Sequence, residues 1–236
     1  MKAMTDIHQH LLYGIDDGPK DAAGMHALLL SADDQGINRI AATPHACPGF
    51  KPFDPVLYEE RLEEARQFCR EKKLNIEIMA GAEIAWTYHT VDSLRRKALP
   101  TLNGTDYVLL ELWPDVRWAE VSTAVSRLCS AGFIPVLAHV ERYRCFVWNP
   151  GKAAELKQTH DIMYQINASS VLSRGGPIMN RFIRRMIGER IVDVVASDAH
   201  NCSTRPQRLL EAFKAIEAQY GKDYALELTS FHEVTG

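Results

Sequence analysis

Short apolar segments alternate with longer amphipathic segments along this 236-residue chain. The short segments have the length and composition of buried β-strands, and the long ones have the apolar spacing of helices. The predicted strands span residues 3–7, 38–42, 76–80, 107–111, 134–138, 162–166 and 192–196. The predicted helices span residues 21–35, 55–72, 91–97, 118–131, 151–158, 177–188 and 206–220. Seven strand–helix units in series predict a parallel sheet, either open and doubly wound or closed into a barrel.

Polar side chains follow nearly every predicted strand. They are His8, His10, His45, Glu83, Glu111, His139, Asn167, Asp198 and His200. In a closed barrel the carboxyl ends of all strands surround one mouth, whereas the outer strands of an open sheet lie too far apart to share a site. We therefore predict an α/β fold, a single-domain distorted (β/α)7 TIM-like barrel over residues 1–236.

Composition and charge argue against several other classes of protein. The net charge is −3 and Lys and Arg form no long run, which gives no indication of nucleic-acid or anionic-membrane binding. The sequence contains no apolar stretch long enough to span a membrane and no apolar segment typical of a signal peptide. The five cysteines are scattered without a Cys-x-x-Cys pair, which is typical of reduced thiols. We therefore expect a cytoplasmic protein, and the oligomeric state stays open.

The spacing of residues at two strand ends favours a metal site. His8 and His10 lie two residues apart, so their side chains point to the same side of a strand. Asp198 and His200 repeat this spacing after the last strand. Imidazole and carboxylate are the groups that bind borderline and hard divalent metals. Either pair taken alone can be explained as ordinary polar residues at a strand end, but the two pairs together favour one multinuclear metal site.

The remaining candidates leave alternatives open. Glu111 ends an apolar strand and Glu83 follows one, and buried glutamates are rare unless they are paired or bound to metal. A salt bridge to an arginine explains either glutamate equally well. His45 and His139, each taken alone, fit core histidines with satisfied hydrogen bonds. Asp6 is expected to accept the second N–H of a metal-binding histidine.

In this order, the segments around these residues resemble the polymerase-and-histidinol-phosphatase (PHP) family of metal phosphoesterases. The matching segments are 6–10 (DIHQH), 14–19 (GIDDGP), 42–45 (ATPH), 81–84 (GAEI), 109–112 (LLEL), 138–143 (AHVERY), 165–170 (QINASS), 196–201 (ASDAHN) and 205–206 (RP). Within the family, the chain looks most like the bacterial tyrosine-phosphatase branch associated with capsule and exopolysaccharide synthesis. One such segment is weak support, whereas nine in order are specific.

The resemblance implies a barrel-like fold and three divalent metal ions, with manganese preferred and iron or zinc as alternatives. The resemblance implies three sets of ligands. The first ion is held by His8, His10, Glu83 and Asp198. The second is held by Glu83, Glu111 and His139, and the third by Asp17, His45 and His200. Arg142 and Arg205 match positions that bind substrate phosphate. The implied partner is a phosphotyrosine protein, in this branch a tyrosine autokinase of polysaccharide export.

We therefore expect a metal-dependent protein-tyrosine phosphatase. A metal lowers the pKa of bound water, and the hydroxide it generates would attack phosphorus. Arg142 and Arg205 would clamp the remaining phosphate oxygens by bidentate hydrogen bonds. His200 is a candidate acid for the leaving phenolate, and Tyr143 is expected to line the entrance and bind substrate. The other aromatic residues expected at the entrance are Trp86, Trp113 and Trp148.

Two other functions stay open at this point. A PHP enzyme that hydrolyses histidinol phosphate or another small phosphate ester would have nearly the same metal site. A non-catalytic metal-binding regulator is the third interpretation, and the complete ligand set with both arginines argues against it.

Residues 202–208 fit Cys-x5-Arg, the signature of cysteine-dependent tyrosine phosphatases. In those enzymes successive backbone N–H groups bind the phosphate. This segment has no glycine, and Pro206 has no N–H to donate. We therefore reject it as the catalytic loop.

Overall fold

The computed structural model describes residues 4–172 and 176–232. The strands are β1 (Met4–Gln9), β2 (Ile37–Ala42), β3 (His45–Ala46), β4 (Glu77–Ala80), β5 (Glu83–Ala85), β6 (Tyr107–Glu111), β7 (Ile134–Leu137), β8 (Met163–Asn167) and β9 (Val194–Ala196). The helices are α1 (Ala22–Asp34), α2 (Pro55–Lys72), α3 (Thr90–Arg95), α4 (Trp118–Ser130), α5 (Arg144–Val147), α6 (Gly151–Thr159), α7 (Ala168–Val171), α8 (Gly176–Gly188), α9 (Leu209–Tyr220) and α10 (Lys222–Ser230). Every predicted strand and helix is present with small shifts at its ends, although the predicted start of the first strand, Ala3, lies outside the described residues.

The strands form a closed ring of seven positions, in which neighbours run parallel. Hydrogen bonds join them in the orders β1-β2-β4 and β3-β5-β6-β7-β8-β9. Residues 43–44 interrupt the second position between β2 and β3, and residues 81–82 interrupt the third between β4 and β5. The last strand meets the first where the N–H of Asp198 donates to the carbonyl oxygen of His8 at 2.8 Å. The predicted distorted seven-stranded barrel is confirmed.

The interior of the barrel is filled with apolar side chains. Its buried members are Ile7, Ala41, Met79, Leu102, Leu109, Val136, Ala138, Val194, Ala196 and Phe231. Because successive residues of a strand point to opposite faces, alternate residues such as Val108 and Leu110 pack outward with the surrounding helices. Above this apolar interior, the clustered polar side chains lie at the mouth, where the strands end.

Several helix ends follow from local sequence signals. Asp54 caps α2 by accepting two backbone N–H bonds of 3.1 Å, and Pro55 occupies the first helical position. Gly36 and Gly132 follow α1 and α4 with φ of 74° and 88°, a left-handed conformation that glycine adopts without strain. These caps confirm the predicted ends of three helices.

Three helices are absent from the sequence prediction. The helices α5 and α7 have four residues each, which is too short for helical periodicity to show in a sequence. The helix α10 begins directly after Gly221, whose φ of 91° turns the chain at the end of α9. It packs against β1 and β9 at the junction that closes the barrel. Within the described ranges, no helix is both long and apolar enough to cross a membrane.

Candidate metal centre

The mouth of the barrel brings all nine predicted metal ligands together. Their ligand atoms form four overlapping groups, and within each group the atoms lie within 4.8 Å of one another. The groups are His10, Asp17, His45 and His200; His8, His10 and Asp198; His8, Glu83 and His139; and His45, Glu83 and Glu111. The groups share members, as a multinuclear centre requires. The role of these residues as ligands stays a prediction.

Glu83 lies at the middle of the cluster, where each of its oxygens meets two imidazoles. Oε1 is 2.8 Å from Nε2 of His139 and 3.2 Å from Nε2 of His8. Oε2 is 2.9 Å from Nδ1 of His45 and 3.3 Å from Nε2 of His10. Burial alone would raise the pKa of this carboxyl group, but the four histidines hold it well below its usual value. A carboxylate with this surrounding is suited to bridge two metal ions.

Five buried side-chain atoms of the predicted ligands have no hydrogen-bond partner among the described residues. They are Nε2 of His8, His10 and His200, Nδ1 of His139, and Oε2 of Glu83. An unpaired buried polar atom costs about 1–3 kcal/mol, so native sites normally satisfy it. Imidazole nitrogen and carboxylate oxygen are both ligands of borderline divalent metals. These unpaired atoms therefore fit a metal centre.

Asp16 supports the cluster from behind, and sequence reasoning missed it. Its Oδ2 lies 2.6 Å from Nδ1 of His10 and accepts the backbone N–H of His45 at 3.0 Å. Burial would lower the pKa of His10, but Asp16 and Glu83 raise it to about 10 in the metal-free protein. Asp16 thus turns Nε2 of His10 toward the other ligands. The only signal in the sequence was its position beside the predicted ligand Asp17.

Asp17 lies at the solvent edge of the cluster. Its Oδ1 is 3.1 Å from Nε2 of His200 and 3.5 Å from Nε2 of His45. Nδ1 of His200 is 3.1 Å from the backbone oxygen of Asp198, to which it donates. Burial and the charges of His10 and Arg205 lower the pKa of His200 to about 4. A neutral His200 with a free Nε2 lone pair suits metal binding better than proton donation.

Two of the predicted ligands have strained backbone conformations. His139 has φ of 35° and Asp198 has φ of 53°, in the left-handed region that residues with a Cβ rarely adopt. Such strain costs on the order of 1–3 kcal/mol and persists where the surrounding structure fixes it. Both residues lie two positions beyond a strand end, and both side chains belong to the cluster.

The two predicted phosphate-binding arginines border the cluster. Arg142 Nη2 donates to Oδ2 of Asp198 at 2.7 Å, and Arg205 Nη2 donates to Oδ1 at 2.9 Å. Arg205 Nη1 also donates to Oδ2 of Asp17 at 3.2 Å. Both arginine side chains are 39% exposed, so a ligand in the mouth can reach them. Their binding of phosphate stays a prediction.

The predicted role of Tyr143 at the entrance is wrong. Its ring has no solvent exposure, and its hydroxyl oxygen accepts the backbone N–H of Leu112 at 3.0 Å. Tyr143 was expected at the entrance together with the three tryptophans. The short 3-10 helix Val140–Arg142 instead turns the next side chain into the core, where it packs against His139 and Phe146.

Asp6 also has a different role from the predicted one. Its Oδ1 accepts the backbone N–H of Ser197 at 2.9 Å and that of His8 at 3.5 Å, and within the described residues no histidine ring donates to it. Burial raises the pKa of this carboxyl group to about 6. Asp6 therefore joins the first strand to the last, at the irregular junction that closes the barrel, through backbone N–H groups and not through the ring of a predicted ligand.

The tryptophans predicted at the entrance differ in exposure. Trp113 and Trp148 are 72% and 70% exposed, on the segments that follow β6 and α5. Trp86 follows β5 and is half-buried, with the guanidinium of Arg127 5.8 Å from its ring centre. Contact of these side chains with a substrate stays a prediction.

Three backbone N–H groups of the Cys-x5-Arg segment, which a phosphate-binding loop would need, already donate to a side chain. Oδ1 of Asn201 accepts the backbone N–H groups of Ser203, Thr204 and Arg205 at 2.9, 2.7 and 3.2 Å. Partial burial also raises the pKa of the Cys202 thiol, which disfavours the thiolate. The structure supports the rejection of this segment as a catalytic loop.

A profile of a known protein family, described as capsular polysaccharide synthesis, CpsB/CapC, matches residues 4–232. The chain belongs to the CpsB/CapC family. This confirms the capsule branch that the sequence motifs indicate. The match covers every strand of the barrel and all nine predicted ligands.

Two members of the CpsB/CapC family are similar to this chain over nearly their whole length. The tyrosine-protein phosphatase CpsB of Streptococcus pneumoniae is 31% identical over 229 residues, which cover 95% of this chain and 94% of that protein. The tyrosine-protein phosphatase YwqE of Bacillus subtilis strain 168 is 31% identical over 233 residues, which cover 98% and 91%.

A solved structure in the CpsB/CapC family has the same fold. It comes from a crystallographic study of YwqE and CpsB, described there as unique metal-dependent tyrosine phosphatases. The superposition gives a TM-score of 0.86 at 29% identity and covers 97% of this chain and 96% of that one. The barrel and its closure are therefore shared with proteins of that description.

Proposed function

We propose that this CpsB/CapC family protein is a metal-dependent protein-tyrosine phosphatase. The observation that carries the proposal is the position of Glu83 among four imidazoles, with two arginines at the edge of the same cluster. Relatives that are 31% identical over almost the whole chain are named tyrosine-protein phosphatases, which supports the same reaction here.

The proposed centre holds three divalent ions, with manganese as the first choice and iron or zinc as alternatives. The proposed sets are His8, His10, Glu83 and Asp198; Glu83, Glu111 and His139; and Asp17, His45 and His200. Glu83 belongs to two sets, in keeping with its contacts to four histidines. The nitrogen and oxygen donors suit each of these metals.

Divalent ions held by these three sets would lower the pKa of water, so that a nucleophile would be available at neutral pH, and would neutralise charge on the phosphoryl group. Arg142 and Arg205 bind the phosphoryl oxygens that face the solvent edge of the cluster. Each guanidinium offers paired N–H groups that match two oxygens of a phosphate. His200 contributes as a ligand, because its Nδ1–H is engaged by Asp198 and its low pKa leaves no proton to donate at neutral pH.

The proposed substrate is phosphotyrosine in a protein, and the family's role in capsular polysaccharide synthesis points to a tyrosine autokinase of polysaccharide export. The exposed rings of Trp113 and Trp148 would meet the polypeptide around the phosphorylated side chain. We place the protein in the cytoplasm, because its five cysteines are free in the structure and such thiols persist in a reducing compartment.

The experiment that tests this function measures hydrolysis of a phosphotyrosine peptide with and without chelator, followed by manganese addition. Wild type, His10→Ala and Cys202→Ser are compared. We expect chelation to abolish activity and manganese to restore it in wild type and Cys202→Ser. The variant His10→Ala should stay inactive, because one ligand of the centre is missing.

Each alternative result points elsewhere. Activity that survives chelation and the loss of His10, but not the loss of Cys202, would return the chemistry to the cysteine segment. Turnover of histidinol phosphate without turnover of the peptide would favour a small-molecule phosphatase. Bound metal without turnover of any phosphate ester would favour a metal-binding regulator.

A further inference from the structure

Gln165 lies behind the candidate metal centre and belongs to β8, the one ring position that supplies no predicted ligand. Its side chain is fully buried. Its Oε1 accepts the backbone N–H of His139 at 2.8 Å and lies 3.0 Å from Nδ1 of His8. One amide oxygen therefore contacts two residues of the cluster.

Two groups fix the direction of the hydrogen bonds that involve Gln165 and Asn167: the backbone N–H of His139 at one end and the carboxylate of Asp198 at the other. A backbone N–H can only donate, so the Gln165 atom facing His139 must be the oxygen. The Gln165 amide nitrogen then donates to Oδ1 of Asn167 at 2.8 Å. The Asn167 amide nitrogen donates in turn to Oδ2 of Asp198 at 2.7 Å, and a carboxylate can only accept. A flip of either amide would place two donors or two acceptors face to face.

We propose that Gln165 and Asn167 form an amide relay that fixes the tautomer of His8 and positions it together with Asp198. Because Gln165 offers an oxygen, Nδ1 of His8 must carry the hydrogen. With a metal ion bound, Nε2 of His8, which lies 3.2 Å from Oε1 of Glu83, would then present its lone pair to that ion. The opposite tautomer would place a hydrogen on the atom that has to bind metal.

The relay also explains how three separate ring positions keep a common geometry. Asn167 is held by its own backbone, whose N–H donates to Oε1 of the buried Glu141 at 3.0 Å. The relay thereby connects β8 to His8 on β1 and to Asp198 beyond β9. Gln165 and Asn167 are positioning residues in this proposal, which rests on the metal centre of the proposed function.

The test compares substitutions that separate hydrogen bonding from packing. Gln165→Met keeps the length of the side chain and removes both the acceptor and the donor. Asn167→Leu removes the second half of the relay. Gln165→Glu retains an oxygen facing His8. Gln207→Met is the matched control, because Gln207 is a buried glutamine that donates to Gln9 and, among the described residues, forms no side-chain hydrogen bond with a predicted ligand.

Two readouts are measured on the full chain. The first is the affinity for Mn²⁺ by titration calorimetry. The second is the hydrogen position on the His8 ring by nitrogen-15 NMR of the Zn²⁺-loaded protein, since Zn²⁺ is diamagnetic. We expect an Nδ1–H signal in wild type, Gln207→Met and Gln165→Glu. Gln165→Met and Asn167→Leu should bind Mn²⁺ about 10- to 100-fold more weakly, as is typical for the loss of a residue that supports a metal ligand.

An Nε2–H tautomer of His8 in wild type would overturn the relay. So would unchanged Mn²⁺ affinity in a folded Gln165→Met, or an equal loss in Gln207→Met, which would indicate general damage to the core. If wild type binds neither metal, the proposed function fails instead. The His8 tautomer in the metal-free chain at alkaline pH then decides the relay, with Nδ1–H supporting it and Nε2–H overturning it.

Discussion

His45 and Glu83 are direct neighbours in the two-residue parallel ladder between β3 and β5, and this pairing places Nδ1 of His45 2.9 Å from Oε2 of Glu83. The ladder lies beyond the breaks at residues 43–44 and 81–82. The register of these two strands therefore determines the contact between His45 and Glu83, because it places the two residues side by side.

Glu83→Gln should reduce the metal content by more than one ion per chain. The carboxylate meets four imidazoles, so its loss affects ligands of two proposed ions. Glu111→Gln is the matched variant and should cost one ion, because Glu111 belongs to one proposed set. Elemental analysis of the purified variants measures both. Full metal content in Glu83→Gln would contradict its bridging position.

Asp16→Ala should weaken metal binding although Asp16 is not a proposed ligand. The change releases Nδ1 of His10 and the backbone N–H of His45, so both ligands lose their orientation. We expect about a 10- to 100-fold loss of Mn²⁺ affinity by calorimetry. Asp34→Ala, at the exposed end of α1, should leave the affinity unchanged. Equal affinities in the two variants would remove Asp16 from the site.

Without metal, the folded protein should lose stability as the pH rises from about 6.5 toward 10. The pKa of His10 is raised from 6.5 to about 10 by Asp16 and Glu83, against the effect of burial. The folded state therefore binds the proton more tightly than the unfolded state, and this stabilisation is complete below 6.5 and lost as the pH passes 10. Thermal unfolding in chelator across this range measures the slope. The slope should be shallower in His10→Asn, and a slope as steep as that of wild type would contradict the assignment.

Arg142→Met should lower kcat/KM for a phosphotyrosine peptide by about 100-fold or more, the usual cost of removing one donor to a charged transition state. Arg142 borders the cluster through Asp198, so its guanidinium can also reach a bound phosphate. Arg144→Met is the control, because Arg144 lies two residues away and is exposed to solvent. Similar kinetics in the two variants would show that Arg142 serves only its ion pair.

Tyr143→Phe should reduce stability and leave KM nearly unchanged. The change leaves the buried N–H of Leu112 without its acceptor, which costs about 1–3 kcal/mol of unfolding free energy. Denaturant unfolding and peptide kinetics measure the two quantities. A large rise in KM with unchanged stability would restore the substrate-binding role that the buried position argues against.

Sequence patterns predicted the ring of strands and the grouping of polar side chains at its mouth because both depend on local signals. The strand Tyr107–Glu111 and the helix Pro55–Lys72 have their predicted ends. Apolar runs mark the strands, Asp54 and Pro55 mark a helix start, and metal ligands must follow strand ends to share one mouth. These signals can be recognised without knowledge of any tertiary contact.

The supporting residues could not be predicted in the same way. Asp16 and Asp17 are adjacent and chemically alike, and only the path of the loop decides which one faces the metal edge and which one holds His10. Gln165 acts through partners far away in sequence. Tyr143 illustrates the reverse error, because a motif position does not state which way a side chain points.

The junction between β1 and β9 joins segments that are far apart in the chain, as the contact of Asp6 with Ser197, 191 residues later, shows. The proposed ion held by His8, His10 and Asp198 spans this same junction. Such an ion would be a non-covalent crosslink that closes the segment from His8 to Asp198 into a loop, and closing a long loop removes much freedom from the unfolded chain. Metal supply would then govern the lifetime of the folded protein as well as its chemistry.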